Sequence, residues 1–303
     1  MDSTYLSRLV HPLSKAPLVY DAPSGRLSSP GSNDTFEIKE QVPVLLAKAL
    51  DGALMHTDLH HGQGSAFQYK AHYQEDAVTY DYFKETENPT EREEHNRLHQ
   101  YILAEIPKTA DWVLDAGCGG GWLAQALNGS GKHVISMDIS DINPVKAIKN
   151  VPYATHFGLV ADAFELPLEE GSIDCIIASE IIEHVPDPKR FLESLFSAVK
   201  PGGKVIITTP YNERIQYSLC VHCNKLTPHN AHLHSFTEFS ILKSLPAAAR
   251  NPRTTIFNNK ILVRLGLQRM FKFIPLPIWK LKERAANFLT GNRAYRLMLV
   301  FEK

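Results

Sequence analysis

The hydrophobic pattern changes twice along the 303 residues of the chain. Residues 1–48 contain short apolar runs broken by turn-forming residues, which predict a small β-rich unit. Residues 49–95 are polar and rich in His and Tyr, and they predict a linker followed by a lid helix. One face of that helix would carry the regularly spaced residues Tyr73, Ala77, Tyr80 and Phe83.

Strands alternate with helices over residues 96–303. The predicted strands cover residues 112–116, 133–139, 155–161, 173–180 and 204–210, and RAYRLMLVFEK closes the chain as a final strand. The Pro-Gly-Gly at 201–203 is expected to end the helix that precedes the fifth strand. Apolar strands separated by helices predict an α/β fold with a doubly wound parallel sheet, covered by helices on both faces.

The segment from Val113 to Trp122 joins a predicted strand to a helix through an acid and several glycines. Glycine is needed where the backbone turns sharply and lets a ligand approach closely. A dinucleotide fingerprint starting at Gly117 would need glycine at position 122, so Trp122 argues against a nicotinamide-dependent reductase. Asp115 would crowd a pyrophosphate, but it suits a cationic ligand.

Two further acids follow at predicted strand ends. Asp138 lies 21 residues after Gly117, and a carboxylate at about this distance accepts hydrogen bonds from ribose hydroxyls. Asp162 would end the third strand, where it could read an adenine amino group. Each acid alone could be a cap or turn residue. Three acids at successive strand ends favour a ligand-binding edge.

These residues resemble the class I methyltransferases that use S-adenosylmethionine (SAM), in particular the ubiquinone- and menaquinone-type branch called type 11. The resemblance covers residues 70–303. It rests on LDAGCGGG (114–121), MDIS (137–140), ADAFELP (161–167), IIASEIIEHVPDP (176–188) and VKPGGKVIITTP (199–210). It implies a seven-stranded Rossmann-like sheet with one antiparallel strand, and SAM as the cofactor.

The resemblance also implies the cofactor contacts. Asp115 and the glycines would face the methionine part of SAM, Asp138 would hold the ribose, and the Asp162–Ala163 pair would flank adenine. The lid helix would bring Tyr80 and Phe83 over the cofactor. The complete predicted cofactor set is Asp115, Gly117, Gly119, Gly121, Asp138, Ile139, Asp162, Ala163, Glu180 and Tyr80.

An insertion at residues 214–235 carries the cysteines and histidines of a candidate zinc site. Thiolate and imidazole ligands suit tetrahedral zinc, and C-x-x-C is a common half-site. The predicted metal ligands are Cys220, Cys223, His232 and His234, with His229 as a substitute. The alternative is a loop without metal.

Glu180, Glu183 and His184 form a competing constellation. They could converge in a helical turn and hold a divalent ion that orients a hydroxyl for deprotonation. The string resembles the metal ligands of ubiquinone-pathway O-methyltransferases and of the plant small-RNA 2′-O-methyltransferase, which add a downstream histidine. His232 or His234 would fill that place, so the two sites compete for them. Without a metal, Glu180 and His184 would line the pocket as the catalytic candidates, with His184 as the base.

Two flanking segments extend this picture. Residues 9–46 resemble the zinc-ribbon activator subunit of tRNA and release-factor methyltransferases, but His11, Ser14, Ser29 and Ser32 occupy the four cysteine positions, which predicts a unit without metal. Residues 259–290 predict a basic helical cap over the active site. As an alternative, residues 261–289 could contact an anionic membrane surface, although Pro275 and Pro277 argue against one long amphipathic helix.

The overall composition narrows the partners. A net charge of −1 argues against DNA and RNA as partners. Four cysteines cannot form a disulfide scaffold, and the N-terminus lacks a secretion pattern, so a cytoplasmic location is predicted. The sequence therefore predicts methyl transfer from SAM to O or N of a small-molecule or lipid- or saccharide-linked acceptor. The alternative is a non-catalytic SAM-binding regulator or scaffold.

Overall fold

The computed structural model describes residues 2–47, 55–57, 65–221 and 224–303. The strands are β1 (Val19–Asp21), β2 (Arg26–Ser28), β3 (Thr35–Phe36), β4 (Ile38–Lys39), β5 (Val42–Leu45), β6 (Met55–Thr57), β7 (Ser65–Phe67), β8 (Trp112–Ala116), β9 (His133–Asp138), β10 (His156–Ala161), β11 (Ile173–Ser179), β12 (Val199–Pro210), β13 (Tyr217–Leu219), β14 (Leu226–Pro228), β15 (Arg250–Asn259) and β16 (Ala294–Glu302). The α-helices are α1 (Ser3–Leu6), α2 (Tyr69–Thr79), α3 (Pro89–Leu103), α4 (Trp122–Leu127), α5 (Asn143–Asn150), α6 (Pro188–Ala198), α7 (Glu238–Ile241), α8 (Lys260–Arg264), α9 (Leu267–Met270) and α10 (Leu276–Thr290). Short 3₁₀ helices cover Ala163–Glu165, His229–Ala231 and Leu242–Ser244.

A nine-stranded sheet with the order β15-β16-β12-β11-β8-β9-β10-β5-β4 forms the centre of the molecule. Within this sheet, neighbouring strands among β12, β11, β8, β9, β10 and β5 pair in parallel, whereas β16 runs antiparallel to β12 and β15. The predicted α/β fold, with the final strand antiparallel, is thus confirmed. The seven strands that the resemblance implies are present, and β5 and β4 extend them to nine.

Alternation along β8 sends its side chains to the two faces of the sheet. Trp112, Leu114 and Ala116 join one apolar cluster, and Val113 joins the cluster on the other side. Asp115 shares the parity of Val113, so its carboxyl group turns toward the side of the sheet that holds Leu98 and Leu123.

Two local predictions need correction. The helix α6 ends at Ala198, but the Pro-Gly-Gly at 201–203 lies inside the long strand β12, at a register shift against β11. A β-bulge tolerates these residues because the ladder is interrupted there. The strand β15 has no counterpart among the predicted strands, since its first half, Arg-Asn-Pro-Arg, is polar and contains proline.

The N-terminal segment is β-rich, as predicted, but it is not a separate unit. The strand β5 pairs in parallel with β10, with Val44 opposite Val160. The Tyr5 hydroxyl donates a hydrogen bond to the Gly158 carbonyl at 2.8 Å, and Leu27 lies in the main apolar cluster of the sheet. The short apolar runs of the segment complete a core supplied by the rest of the chain.

His11, at one of the positions where the zinc ribbon would carry a metal ligand, makes hydrogen bonds within this segment. The His11 ring accepts the backbone N–H groups of Leu13 and Ser14 at Nδ1, both at 3.2 Å. Its Nε2 atom lies 3.0 Å from the Asp34 carboxylate. The imidazole thereby ties the first turn of the segment to the loop before β3.

The lid helix also differs from its prediction. The helix α2 ends at Thr79, so Tyr80 is its C-cap and Phe83 lies beyond it rather than on a helical face with Tyr73. Within the predicted linker and lid at 49–95, residues 49–54 and 58–64 lie outside the described residues. The cap at 259–290 consists of α8, α9 and α10, and its two prolines begin α10 instead of breaking a helix. Among the described helices, none has the length and apolarity needed to cross a bilayer.

Candidate active site

A cavity of about 1290 Å³ opens where the parallel strands β8, β9, β10 and β11 end. Carboxyl ends of parallel strands are the usual ligand-binding edge of such a sheet. The predicted site residues that line it are Gly117, Gly119, Asp138, Ile139, Asp162, Ala163, Glu180, Tyr80, His184 and His232. The predicted residues Asp115, Gly121, Cys220 and His234 are not among its lining residues.

Asp115 lies beneath the glycine turn rather than in the cavity wall. Its side chain is buried, and neither carboxyl oxygen has a hydrogen-bond partner among the described residues. Burial, together with the charge of Asp138, raises the pKa of Asp115 well above its usual range. Such a carboxyl group favours a positive charge nearby, because a cation would offset the cost of its burial.

Asp138 ends β9 and faces the cavity. Its carboxylate accepts hydrogen bonds from the backbone N–H groups of Ser140 at 3.0 Å and Gly119 at 3.4 Å. The Asn143 side chain donates a third, at 3.1 Å. Burial raises the pKa of Asp138, and these hydrogen bonds oppose that rise. The carboxylate is therefore fixed in direction at the place predicted for ribose recognition.

Asp162 follows β10 and is held from two sides. Its Oδ1 atom accepts the Phe164 N–H at 2.9 Å, which caps the short 3₁₀ helix. Its Oδ2 atom accepts the Tyr69 hydroxyl at 2.5 Å, and burial together with the charge of Asp162 raises the pKa of Tyr69. The tyrosine begins α2, so this bond ties the lid helix to the predicted adenine end of the cavity.

The lid chain touches the glycine turn directly. A Cβ atom on Gly120 would lie 2.2 Å from the Tyr82 carbonyl oxygen, so only glycine fits beneath the lid. Tyr80 and Tyr82 line the cavity, whereas Phe83 instead packs beside Gly121 at the start of α4. Of the predicted pair over the cofactor, the structure places Tyr80 at the cavity and Phe83 next to it.

Glu180 follows β11 with a left-handed backbone, at φ +58°. A non-glycine residue in this region carries strain that often marks a functional site. Its Oε2 atom lies 3.0 Å from an Arg296 guanidinium nitrogen. Arg296, on β16, also pairs with Glu94 at 3.3 Å. This ion pair engages the carboxylate that the sequence suggests for catalysis or a metal.

Glu183, His184 and His232 form the one cluster of potential metal ligands found among the described residues. Their ligand atoms all lie within 4.8 Å of one another. Glu183 is buried, and the hydrogen-bonding groups near its carboxyl oxygens are its own backbone and the Thr209 hydroxyl, which oppose a rise in its pKa. Burial, and then the charge of Glu180, raises the pKa of Glu183. Burial also lowers the pKa of His184 to about 4, so this imidazole is neutral near neutral pH.

Among the described residues, the predicted zinc ligands Cys220, His232 and His234 do not form one cluster. Cys223 lies outside the described residues, and Cys220 lies at the hairpin between β13 and β14. His234 Nε2 lies 3.0 Å from the Val185 carbonyl oxygen, with which it hydrogen-bonds. The His232 ring stands 4.8 Å from that of His184, and its Nδ1 atom lies 2.5 Å from Glu213. Of the two histidines, His232 instead joins Glu183 and His184 in the cluster described above.

Several lining residues escape the sequence analysis. Tyr69 and Asn143 hold the two acids, but tyrosines and asparagines near helix starts are common and carry no motif. Arg296 could have been identified from the sequence, because a charged residue inside an otherwise apolar strand is costly without a partner. Its neighbours in the cavity wall include Lys260 and Tyr295.

The model of a family described as a methyltransferase domain matches residues 88–248. A ubiquinone biosynthesis O-methyltransferase of Xanthomonas axonopodis is 28% identical over 159 residues, which cover 50% of this chain and 66% of that protein. One from Xylella fastidiosa is 33% identical over 112 residues, covering 36% of this chain and 46% of that protein. The chain thus spans about half to two thirds of the length of these relatives.

A solved structure supports the fold. The 1,6-didemethyltoxoflavin-N1-methyltransferase of Burkholderia thailandensis, with its substrate and S-adenosylhomocysteine bound, is 16% identical. The similarity covers 81% of this chain and 93% of that chain, with a TM-score of 0.50. The acids and glycines at the strand ends, the cavity above them and the matching family model all support the same family. The chain belongs to the methyltransferase domain family, within the type 11 branch of the class I SAM-dependent methyltransferases.

Proposed function

We propose that the protein transfers a methyl group from SAM to a hydroxyl oxygen of a small-molecule acceptor. The observation that carries this proposal is the cavity, whose wall contains Asp138 and Asp162 as well as the Glu183–His184–His232 cluster. Its volume of about 1290 Å³ exceeds the 300–1,000 Å³ of common single-ligand sites. There is room for an acceptor beside the cofactor.

The residues present fit SAM. Asp138 and Asp162 offer fixed carboxylate oxygens to the ribose and adenine, and Gly117 and Gly119 keep the wall between them open. The buried Asp115 carboxyl group has no hydrogen-bond partner among the described residues, and the positive charge of the methionine part would favour its ionised form. In-line displacement at a methyl group depends mainly on holding donor and acceptor in line, and we assign this role to the cavity walls.

The acceptor oxygen is proposed to lie against Glu183, His184 and His232. A neutral imidazole and a buried carboxyl group are suitable ligands for a divalent ion, which would supply Lewis acidity to an acceptor hydroxyl. His184 has too low a pKa, about 4, for an efficient general base near neutral pH. The proposal therefore puts an ion at this cluster, and the relatives' names support O-methylation.

The finer assignments belong to the same proposal. A lipid- or saccharide-linked acceptor would need the cavity to admit one end of a longer molecule, and its open mouth allows this. The cytoplasmic location inferred from cysteine usage stays a prediction. The non-catalytic alternative, a SAM-binding scaffold, leaves the buried Glu183 carboxyl group without a role.

The test combines ion binding with turnover. Isothermal titration with Mn²⁺ should show one site in the full chain, lost in Glu183→Gln and strongly weakened in His232→Ala. His229→Ala is the matched control, since that neighbouring histidine bonds Ser218 and lies outside the cluster. Release of S-adenosylhomocysteine with a water-soluble catechol should rise with Mn²⁺ or Mg²⁺ and fall with chelator. Equal Mn²⁺ binding in Glu183→Gln would refute the ion site, and absence of turnover with phenols and catechols alike would favour the scaffold.

A further inference from the structure

The helix α10 turns its apolar side to solvent. The buried residues of α10 are Trp279, Glu283 and Asn287. The exposed large side chains are instead Ile278, Leu281, Phe288 and Leu289. With 3.6 residues per turn, these four and the exposed Ala285 cover an arc of about 100° on the helix surface. We call this surface the α10 stripe.

Polar contacts on the inner side of α10 stabilise this orientation of the helix. Glu283 accepts the Tyr101 hydroxyl at 2.5 Å, and Asn287 Oδ1 accepts the Asn259 amide at 2.7 Å. The Arg97 guanidinium lies over the Trp279 ring at 4.6 Å. Because these contacts fix which side of α10 faces the sheet, the exposure of the α10 stripe follows from specific hydrogen bonds rather than from loose docking.

The large apolar side chains of the α10 stripe are highly exposed to solvent. Phe288 is 85% and Leu289 80% exposed. The connection before the helix adds Phe273, at 86%, and Met270 ends α9 nearby in the chain. Contiguous exposed apolar residues of this size usually mark a surface that binds something.

Cations flank the α10 stripe. Lys282 lies on one edge of the arc and Arg284 on the other, by the same helical spacing. The segment 260–290 contains seven basic residues, namely Lys260, Arg264, Arg269, Lys272, Lys280, Lys282 and Arg284. Its single acid, Glu283, is buried against Tyr101. The exposed charge of this segment is therefore positive, although the whole chain carries −1.

We infer that the α10 stripe docks on an anionic phospholipid bilayer. An apolar face edged by Lys and Arg is the arrangement that inserts among acyl chains while the cations contact lipid phosphates. A second copy of the chain fits less well, because a twofold contact would bring Lys282 and Arg284 against the same cations with no exposed acid between them. Lys260, the first residue of the segment, lines the cavity, so docking would hold the cavity beside the membrane surface.

Vesicle co-sedimentation of the full chain tests this inference. We expect binding to phosphatidylcholine vesicles that contain phosphatidylglycerol, and at least tenfold weaker binding for the double variant Phe288→Ser, Leu289→Ser. Phe239→Ser is the matched control, because Phe239 is also 80% exposed but lies on α7. Replacing Lys282 and Arg284 by Gln should weaken binding about fivefold for each charge, and only on the anionic vesicles.

Two further measurements make the outcome decisive. Each variant should keep the wild-type melting temperature and affinity for S-adenosylhomocysteine, which separates failure of docking from failure of the methyltransferase site. If the double variant binds vesicles like the wild type, or if Phe239→Ser loses as much binding, the inference is wrong. If the wild type ignores vesicles but forms a dimer that the double variant abolishes, the stripe is covered by a second copy and the inference is also wrong.

Discussion

Replacement of Gly120 by alanine isolates the contact between the lid and the glycine turn. The backbone at Gly120 is not in the left-handed region, so alanine causes no strain of its own there. The new Cβ atom would, however, lie 2.2 Å from the Tyr82 carbonyl oxygen and 3.1 Å from its carbon. Ordinary van der Waals contact begins at 3.4 Å, so the carbonyl must withdraw by about 1 Å.

Overpacking of this kind costs about 1–3 kcal/mol. Residues 80–83 form a connection beyond α2 rather than part of the sheet, so we expect them to move away instead of unfolding the core. The cost should then appear in cofactor affinity, because Tyr80 and Tyr82 line the cavity. About 1.4 kcal/mol corresponds to a tenfold weaker dissociation constant for S-adenosylhomocysteine in isothermal titration.

Gly129→Ala is the matched control for this experiment. Its φ of +79° disfavours alanine, but no atom lies within 4 Å of the new Cβ atom, and Gly129 is not among the cavity-lining residues. We expect it to lower the melting temperature through backbone strain of about 1–2 kcal/mol, with the smaller effect on affinity. The reasoning about the lid is refuted if Gly120→Ala binds S-adenosylhomocysteine as tightly as the wild type.

Two other predictions concern the acids. Asp138→Ala should weaken S-adenosylhomocysteine binding about tenfold or more, because it removes charge-assisted hydrogen bonds to the ribose. Asp141→Ala breaks contacts to Lys39 and Gln74 away from the cavity, so it should leave the affinity unchanged. Equal affinities of the two variants in calorimetry would remove Asp138 from the site. Burial raises the pKa of Asp115 in the folded state, so its contribution to stability is lost as the pH rises from the unfolded pKa, about 3.9, toward the folded one. Asp115→Asn should therefore gain melting temperature relative to the wild type between about pH 5 and about pH 8, and a difference that does not grow with pH contradicts the raised pKa.

The sheet was accessible from the sequence because its strands are short apolar runs between helices, and the acids at their ends locate the cavity edge. The predicted Asp138 and Asp162 stand in the cavity wall, since strand ends fix their place. Asp115 differs, because the alternation of side chains along β8 decides which face of the sheet its carboxyl group is on, and the motif alone does not give that face. The histidine assignment depends on how the hairpin of β13 and β14 folds back, which no local pattern contains, so the competition for His232 could be decided only in three dimensions.

The pairing of β5 with β10 imposes an order on folding. Val44 meets Val160, which lies 116 residues later in the chain. During synthesis at about 5–20 residues per second, the partner strand emerges roughly 6–23 s after β5. In that interval β5 can pair only with the short strand β4, so Val42 and Leu45, which are buried in the finished sheet, still lack their neighbour β10. The first segment made is thus among the last to settle, and it presents an apolar edge to chaperones or to other nascent chains until β10 arrives.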